Sequence, residues 1–166
     1  MLASYGSSIN RPEFREVSPS VFYDFDLASS VQGNANLKSC HIQNVDLRYE
    51  FYPSDGEQIT LAAFFKHFDS PIEWVYTVSG GTDLLYSYEN ARWATSFGVE
   101  LDLRKRLEFI GLKDFPLVAS ASLIKSRVKF DGSPLRKNRP MQGQSPYLVN
   151  VALFYQHKAW NASMQY

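Results

Sequence analysis

The sequence predicts an all-β, antiparallel fold whose strands are long enough to cross a bilayer. Three observations carry that expectation. Apolar and polar residues alternate with a period of two through much of the chain. The alternating runs extend over about ten residues or more, where soluble strands average about 5–6 and membrane strands need about 9–11. Tight and long connections also alternate, which is the layout of a membrane barrel with short periplasmic turns and long extracellular loops.

Strands are predicted at roughly 2–8, 41–52, 58–68, 84–103, 116–128, 146–157 and 160–166, about seven in all, with a short extended piece near 21–25. In the second, Val45, Leu47, Tyr49 and Phe51 share one parity, and Asp46, Arg48 and Glu50 the other. After the turn Pro53-Ser54-Asp55-Gly56, the residues Ile59, Leu61, Ala63 and Phe65 again share a face. In the fourth, Trp93, Thr95, Phe97, Val99, Leu101 and Leu103 oppose Arg92, Ser96, Glu100, Asp102 and Arg104. Leu117, Ala119, Ala121 and Leu123 oppose Ser120, Ser122 and Ser126. Tyr147, Val149, Val151, Leu153 and Tyr155 oppose Asn150 and Gln156.

Residues 53–56 and 157–160 read as tight turns, and 9–40, 69–83 and 129–145 as long polar loops. Residues 104–115 read as a longer turn on the tight side, and helical spacing is sustained nowhere. Tyr49, Phe51, Tyr52, Tyr155 and Trp160 gather beside the tight turns, as an interfacial girdle does. A soluble β-sandwich with core aromatics remains the alternative that this pattern leaves open.

Composition narrows the function classes. The chain has 166 residues, enough for one domain, and its 17 basic and 17 acidic residues cancel. Neither nucleic-acid binding nor an anionic-membrane patch is therefore suggested. Mean hydropathy is −0.28, which speaks against membrane helices but not against a barrel, whose alternating strands average near neutral. Cys40 is the lone cysteine, so no disulfide framework or thiolate metal site is expected. The first residues lack a basic segment followed by an apolar one. A membrane-barrel origin then implies that the chain is a fragment of a longer one.

No catalytic, metal or cofactor constellation is apparent. His41, His67 and His157 lack ligand spacing. Glu100 and Asp102 alternate with apolar residues near Arg92 and Arg104, as on a wet face with charge pairing. One basic cluster, Arg127, Lys129, Arg136, Lys137 and Arg139, fits either a solvated loop or a vestibule for anionic ligands or lipopolysaccharide phosphates. Trp74 and Tyr76 fit either stacking on a ligand or an outer aromatic belt.

Several strings together resemble the TonB-dependent outer-membrane receptors. SYGSSINRPEFREVSP, GNANLKS and VDLRYEFY follow the family's strand, Arg-Pro loop opening, Gly-Asn-Pro-x-Leu element and alternating strand. GEQITLAAFFKHFDSPIEW and RPMQGQSPYLVNVALFYQ resemble two later strands, the second most typical of Bacteroidetes-type receptors. Ala35, and Ser39-Cys40, depart from the family's loop pattern.

The resemblance implies that 1–166 is a partial barrel domain, consecutive strands from the C-terminal half of a barrel of about 22 strands, without the plug domain, signal peptide and C-terminal strands of the family. It implies active import across the bacterial outer membrane of an iron–siderophore, a cobalamin-like cofactor or an oligosaccharide, driven by a TonB-type protein. It further implies outer-membrane lipid and lipopolysaccharide around the wall, a plug inside it, and no cofactor or enzyme activity. Asp46, Arg48, Glu50, Arg92, Glu100 and Asp102 would face lumen and plug. Trp74, Tyr76, Arg136, Lys137 and Arg139 would face ligand from extracellular loops. A soluble glycan-binding sandwich and a passive porin are the alternatives. If the barrel reading holds, Leu61→Arg impairs assembly and Thr60→Arg is accommodated.

Overall fold

A computed structural model describes residues 1–78, 84–131 and 138–166. In chain order its elements are β1 (Leu2–Asn10), the short helix α1 (Phe14–Val17), β2 (Val21–Asp24), β3 (Ser29–Gln32), β4 (Cys40–Phe51) and β5 (Gln58–Asp69). They continue as β6 (Ile72–Val78), β7 (Leu84–Asn90), β8 (Trp93–Leu107), β9 (Leu112–Lys129), β10 (Tyr147–His157) and β11 (Trp160–Gln165). Among the described residues no helix is long and apolar enough to cross a membrane, which says nothing about a β-barrel.

Seven of these strands form one antiparallel sheet in the order β1-β4-β5-β8-β9-β10-β11, and four form a second sheet, β2-β3-β7-β6. In the large sheet β4 and β5 have 12 residues each, β8 has 15, β9 has 18 and β10 has 11. These lengths meet the span of a membrane strand. The connections at one end of the sheet are tight (52–57, 108–111 and 158–159), and those at the other are long (11–39, 70–92 and 130–146).

Register makes each face of the large sheet continuous. Tyr5, Val45, Phe65, Phe97 and Lys125 lie in one cross-strand row, and Tyr49, Leu61, Leu101, Ala121 and Val149 in another. Apart from the irregularity where Leu107 pairs with Leu112, partners share parity from β1 to β10, so odd-numbered positions join one face and even-numbered positions the other. The odd face is apolar and open: Val45, Leu47, Leu61, Phe65, Phe97, Val99 and Leu101 are all exposed. The even face is the sheltered one, with Thr60, Ala94, Ser96 and Val128 buried along it. A sandwich would cover the odd face with a second sheet, and the four-stranded sheet does not cover it.

Even-face packing tightens where Phe64 lies over Gly98, whose missing side chain leaves room; a Cβ there would stand 2.7 Å from the Phe64 ring. A small apolar cluster of Ala91, Ala94 and Val128, with Phe68, Phe130 and Met141 against it, sits at the long-loop end. At the tight end, Glu57 accepts hydrogen bonds from the Lys105 Nζ (2.8 Å) and the Arg106 backbone N–H (3.1 Å). The Lys105 contact holds the Glu57 carboxyl below the usual range. That bridge ties one hairpin turn to the next strand.

The structure corrects four expectations. The predicted strand 84–103 is two strands, β7 and β8, which lie in different sheets. A single strand cannot change its apolar parity, and here Tyr86 and Tyr88 are even while Trp93 and Phe97 are odd. The chain bends between them at Ala91-Arg92. The loops 9–40 and 69–83 contain α1, β2, β3 and β6, and the predicted turn 104–115 is mostly strand around Glu108–Ile110. Finally, Thr60 is only 1% exposed and accepts a hydrogen bond from Gln58, so an arginine at that site displaces the side chains that cover it.

Candidate functional site

The four-stranded sheet stands at the long-loop end and presents an aromatic face. On β6, Trp74 and Tyr76 alternate with Glu73 and Val75, and register pairs Trp74 with Tyr88 and Tyr76 with Tyr86. Ring centroids lie 4.5 Å apart for Trp74–Tyr88, 6.1 Å for Trp74–Tyr86 and 6.2 Å for Tyr76–Tyr86. These separations fall in the range of attractive edge and tilted ring contacts.

The Tyr76–Tyr86 row continues through Val31 to Phe22. Over the Phe22 ring sits the Arg15 guanidinium at 3.9 Å, itself 3.6 Å from the Asp24 carboxylate. Tyr88 is buried, and that burial, aided by the Glu16 charge, raises its hydroxyl pKa. Tyr76 is the open member, 62% exposed. Val31 between them is fully buried and Tyr88 nearly so, which leaves Tyr76 as the open ring, with Trp74, Tyr86 and Phe22 half-buried beside it and the exposed Arg15 at the far side. An open ring with half-buried aromatic neighbours suits a flat or cyclic solute.

Long-range polar contacts hold this sheet to the larger one. Arg139 donates to the Glu73 carboxylate at 2.8 Å and to the Trp74 carbonyl at 3.2 Å. Its own backbone pairs with Val128 at the end of β9. Glu73 is buried, which raises its carboxyl pKa, and the Arg139 charge opposes that shift. Asn90 donates to the Lys38 and Ser70 carbonyls at 2.9 and 2.7 Å and accepts from the Lys38 N–H at 2.7 Å.

Asn34 donates to the Tyr88 carbonyl at 2.9 Å, and its backbone N–H donates to the Glu16 carbonyl at 2.6 Å. Beside it, Gly33 lies against backbone: a Cβ there would overlap the Ser18 carbonyl oxygen and stand 2.8 and 2.9 Å from those of Glu16 and Arg15. Gly33→Ala is therefore expected to push α1 away from the end of β3, at about 1–3 kcal/mol. Limited proteolysis within 11–39 checks it; cleavage no faster than in the parent contradicts it.

The predicted ligand-facing residues separate into three fates. Trp74 and Tyr76 are brought together on the aromatic face. Arg139 is engaged in the clasp with Glu73. Arg136 and Lys137 lie outside the described residues. Sequence reasoning missed Tyr86, Tyr88, Phe22 and Arg15. The even spacing in LLYSYEN was the signal for the tyrosines, hidden by the overlong strand.

The predicted lumen residues occupy the sheltered even face. Glu50, Thr60, Asp102, Ser120 and Asn150 share one row, and Arg48, Ala62, Glu100 and Ser122 the next. Asp46 lies one row further on, opposite Phe64. Arg48 pairs with Glu50 at 2.7 Å, Tyr52 donates to Glu50 at 2.7 Å, and Asn150 donates to Ser120 at 3.1 Å. A shallow groove of about 350 Å³ runs between Arg48, Gln58, Thr60, Asp102, Arg104 and Ser120. Arg92 differs, preceding β8 in the turn with its exposed guanidinium 3.5 Å from Asp131. Among the described residues no three His, Cys, Asp or Glu side chains converge as a metal site would require.

Such a surface offers contact and hydration rather than chemistry, and comparison with known proteins agrees. No functionally curated protein sequence matches the chain significantly. Among solved structures, a mutant ferric enterobactin receptor from Pseudomonas aeruginosa in complex with enterobactin superposes with a TM-score of 0.65 at 18% identity, over 98% of this chain and 25% of that one. Another mutant of that receptor gives 0.62 at 17%, over 98% and 24%. The siderophore receptor PirA from the same organism gives 0.58 at 16%, over 95% and 33%. The chain thus spans about a quarter to a third of the length of these receptors. The family described as TonB dependent receptor-like, beta-barrel, whose relatives here are receptors and not enzymes, matches residues 1–166. With that match over its full length and with these strands, the chain belongs to the TonB-dependent receptor β-barrel family.

Proposed function

We propose that the chain is part of the wall and mouth of a longer bacterial outer-membrane receptor that imports a scarce solute. The observation that carries this reading is the continuous odd face, apolar and exposed across hydrogen-bonded strands of membrane length. In hydrocarbon every backbone polar group needs an internal partner, and a closed sheet provides it. The apolar band faces lipid and lipopolysaccharide, the tight turns the periplasm, and the aromatic sheet the outside.

Asp46, Arg48, Glu50, Glu100 and Asp102 line the wet interior, where an internal plug meets them through polar, rearrangeable contacts. Energy from a TonB-type partner reaches the solute through segments beyond this chain. The solute is an iron–siderophore chelate, a corrinoid or an oligosaccharide, and the aromatic face with Arg15 is its first contact. The likeness to ferric enterobactin receptors supports the chelate.

Tyr76→Ala combined with Trp74→Ala tests that contact in the intact receptor. Against a ferric catecholate, a corrinoid and an oligosaccharide, affinity for the one the parent binds is expected to fall about tenfold, the loss of roughly 1.4 kcal/mol of stacking. Unchanged affinity in a normally assembled variant sinks the aromatic contact.

A further inference from the structure

One strand leaves the apolar band unlike its neighbours. The odd positions of β9 read Leu117, Ala119, Ala121 and Leu123, then Lys125, Arg127 and Lys129. Their cross-strand partners are Phe97, Thr95 and Trp93 respectively, on the open odd face and not on the sheltered one. Three cations therefore occupy three consecutive outward positions, spaced by about 6.8 Å along the strand. They begin where the hydrocarbon-type residues stop, at the long-loop end.

Lys125 and Arg127 are exposed, and among the described residues neither forms an ion pair or a hydrogen bond. Lys129 stands with its Nζ 5.8 Å from the centre of the Trp93 ring. The facing rows bring His67 opposite Thr95, and one carboxylate, Asp69, opposite Trp93. Asp69 already accepts a hydrogen bond from the Ser70 hydroxyl at 3.4 Å. The ladder thus carries uncompensated positive charge on a face that otherwise meets lipid. A cation deep in hydrocarbon is costly, but long Lys and Arg stems reach an interface and meet anions there. Aromatic residues such as Trp93 settle at the same depth.

We propose that Lys125, Arg127 and Lys129 form a binding site for the phosphate groups of a phosphorylated glycolipid in the outer leaflet. Arg127, the central rung, presents a planar fork that takes two phosphate oxygens, and the flanking lysines add point charges on either side. The site rests on the reading that the odd face meets lipid, and adds a specific anionic lipid to it. A soluble anion travelling through the lumen does not reach it, because the even face lines the interior.

The test uses the intact receptor and the variant Lys125→Gln/Arg127→Gln/Lys129→Gln, each reconstituted in nanodiscs of phosphatidylcholine doped with bis-phosphorylated lipid A. Native mass spectrometry counts the lipid A that stays bound. The parent is expected to retain it and the variant to lose at least about tenfold in retention, a difference of about 1.4 kcal/mol. Dephosphorylated lipid A is expected to bind the parent as weakly as the variant binds the phosphorylated form. Equal retention by parent and variant overturns the site, as does equal retention of the two lipids. A parent that fails to insert, giving no heat-modifiable band, overturns the lipid-facing reading and the site with it.

Discussion

Leu61→Arg in the intact receptor is expected to cut the heat-modifiable, assembled fraction sharply, at a cost of about 2–4 kcal/mol. Leu61 is the fourth of the 12 residues of β5, is 54% exposed, and has Tyr49 and Leu101 as its cross-strand partners. A guanidinium there enters the apolar band of the odd face, among Tyr49, Leu101 and their neighbours, instead of water. The matching control belongs on the other face. Thr60 is unsuitable, being buried and accepting a hydrogen bond from Gln58 at 3.0 Å. Asp102 in the same row is exposed on the even face, and Asp102→Arg is expected to change stability by no more than about 0.5 kcal/mol. Urea-dependent refolding into lipid vesicles, read by gel mobility, compares them. Equal tolerance of the two arginines contradicts the assignment of faces.

Arg139→Leu is expected to release the aromatic sheet while leaving the barrel wall intact. The substitution strands the Glu73 carboxylate, which is only 6% exposed in its side chain. Breaking such a pair costs about 3–5 kcal/mol when both partners are buried, and Arg139 is only partly so, which places the expected loss near about 3 kcal/mol. Hydrogen exchange is expected to quicken in 72–78 and 84–90 but not in 58–69 or 93–107. Uniform quickening, or none, contradicts the clasp.

The pH dependence of that clasp has an unusual sign. Burial raises the Glu73 pKa despite Arg139, so the folded sheet binds the Glu73 proton more tightly than the unfolded chain does. Its ionisation therefore weighs against the folded sheet above the folded value, and that cost is relieved as pH falls through it. Protection of the β6 amides is expected to be as high at about pH 5 as at about pH 7.5, or higher. Protection lost on acidification contradicts it.

The strands of the large sheet were legible because burial on one side and exposure on the other impose a period of two on every strand. Val45 to Phe51 and Phe97 to Leu103 state it plainly. The second sheet was not legible because its strands are short, and β6 carries Glu73 where an apolar residue is expected. The reason for Glu73 lies 66 residues away in Arg139. Gly33 and Asn34 were recognised as part of a family string, but their task depends on distant backbone: the carbonyls of α1 and the Tyr88 carbonyl 54 residues on. Trp74 and Tyr76 were found by residue type alone. Tyr86 and Tyr88 needed the parity change at Ala91-Arg92 to be read as a boundary.

Spin-label accessibility along Phe97–Arg104 tests the proposed lipid-facing wall most directly. Single cysteines are placed at each position of the intact receptor in lipid vesicles, with Cys40 replaced by alanine. Labels at 97, 99, 101 and 103 are predicted to be relaxed by oxygen dissolved in the bilayer. Those at 98, 100, 102 and 104 are predicted to be shielded from oxygen and open to a water-soluble nickel chelate or to protein packing. Loss of the alternation, or its reversal, would contradict the wall described for this chain.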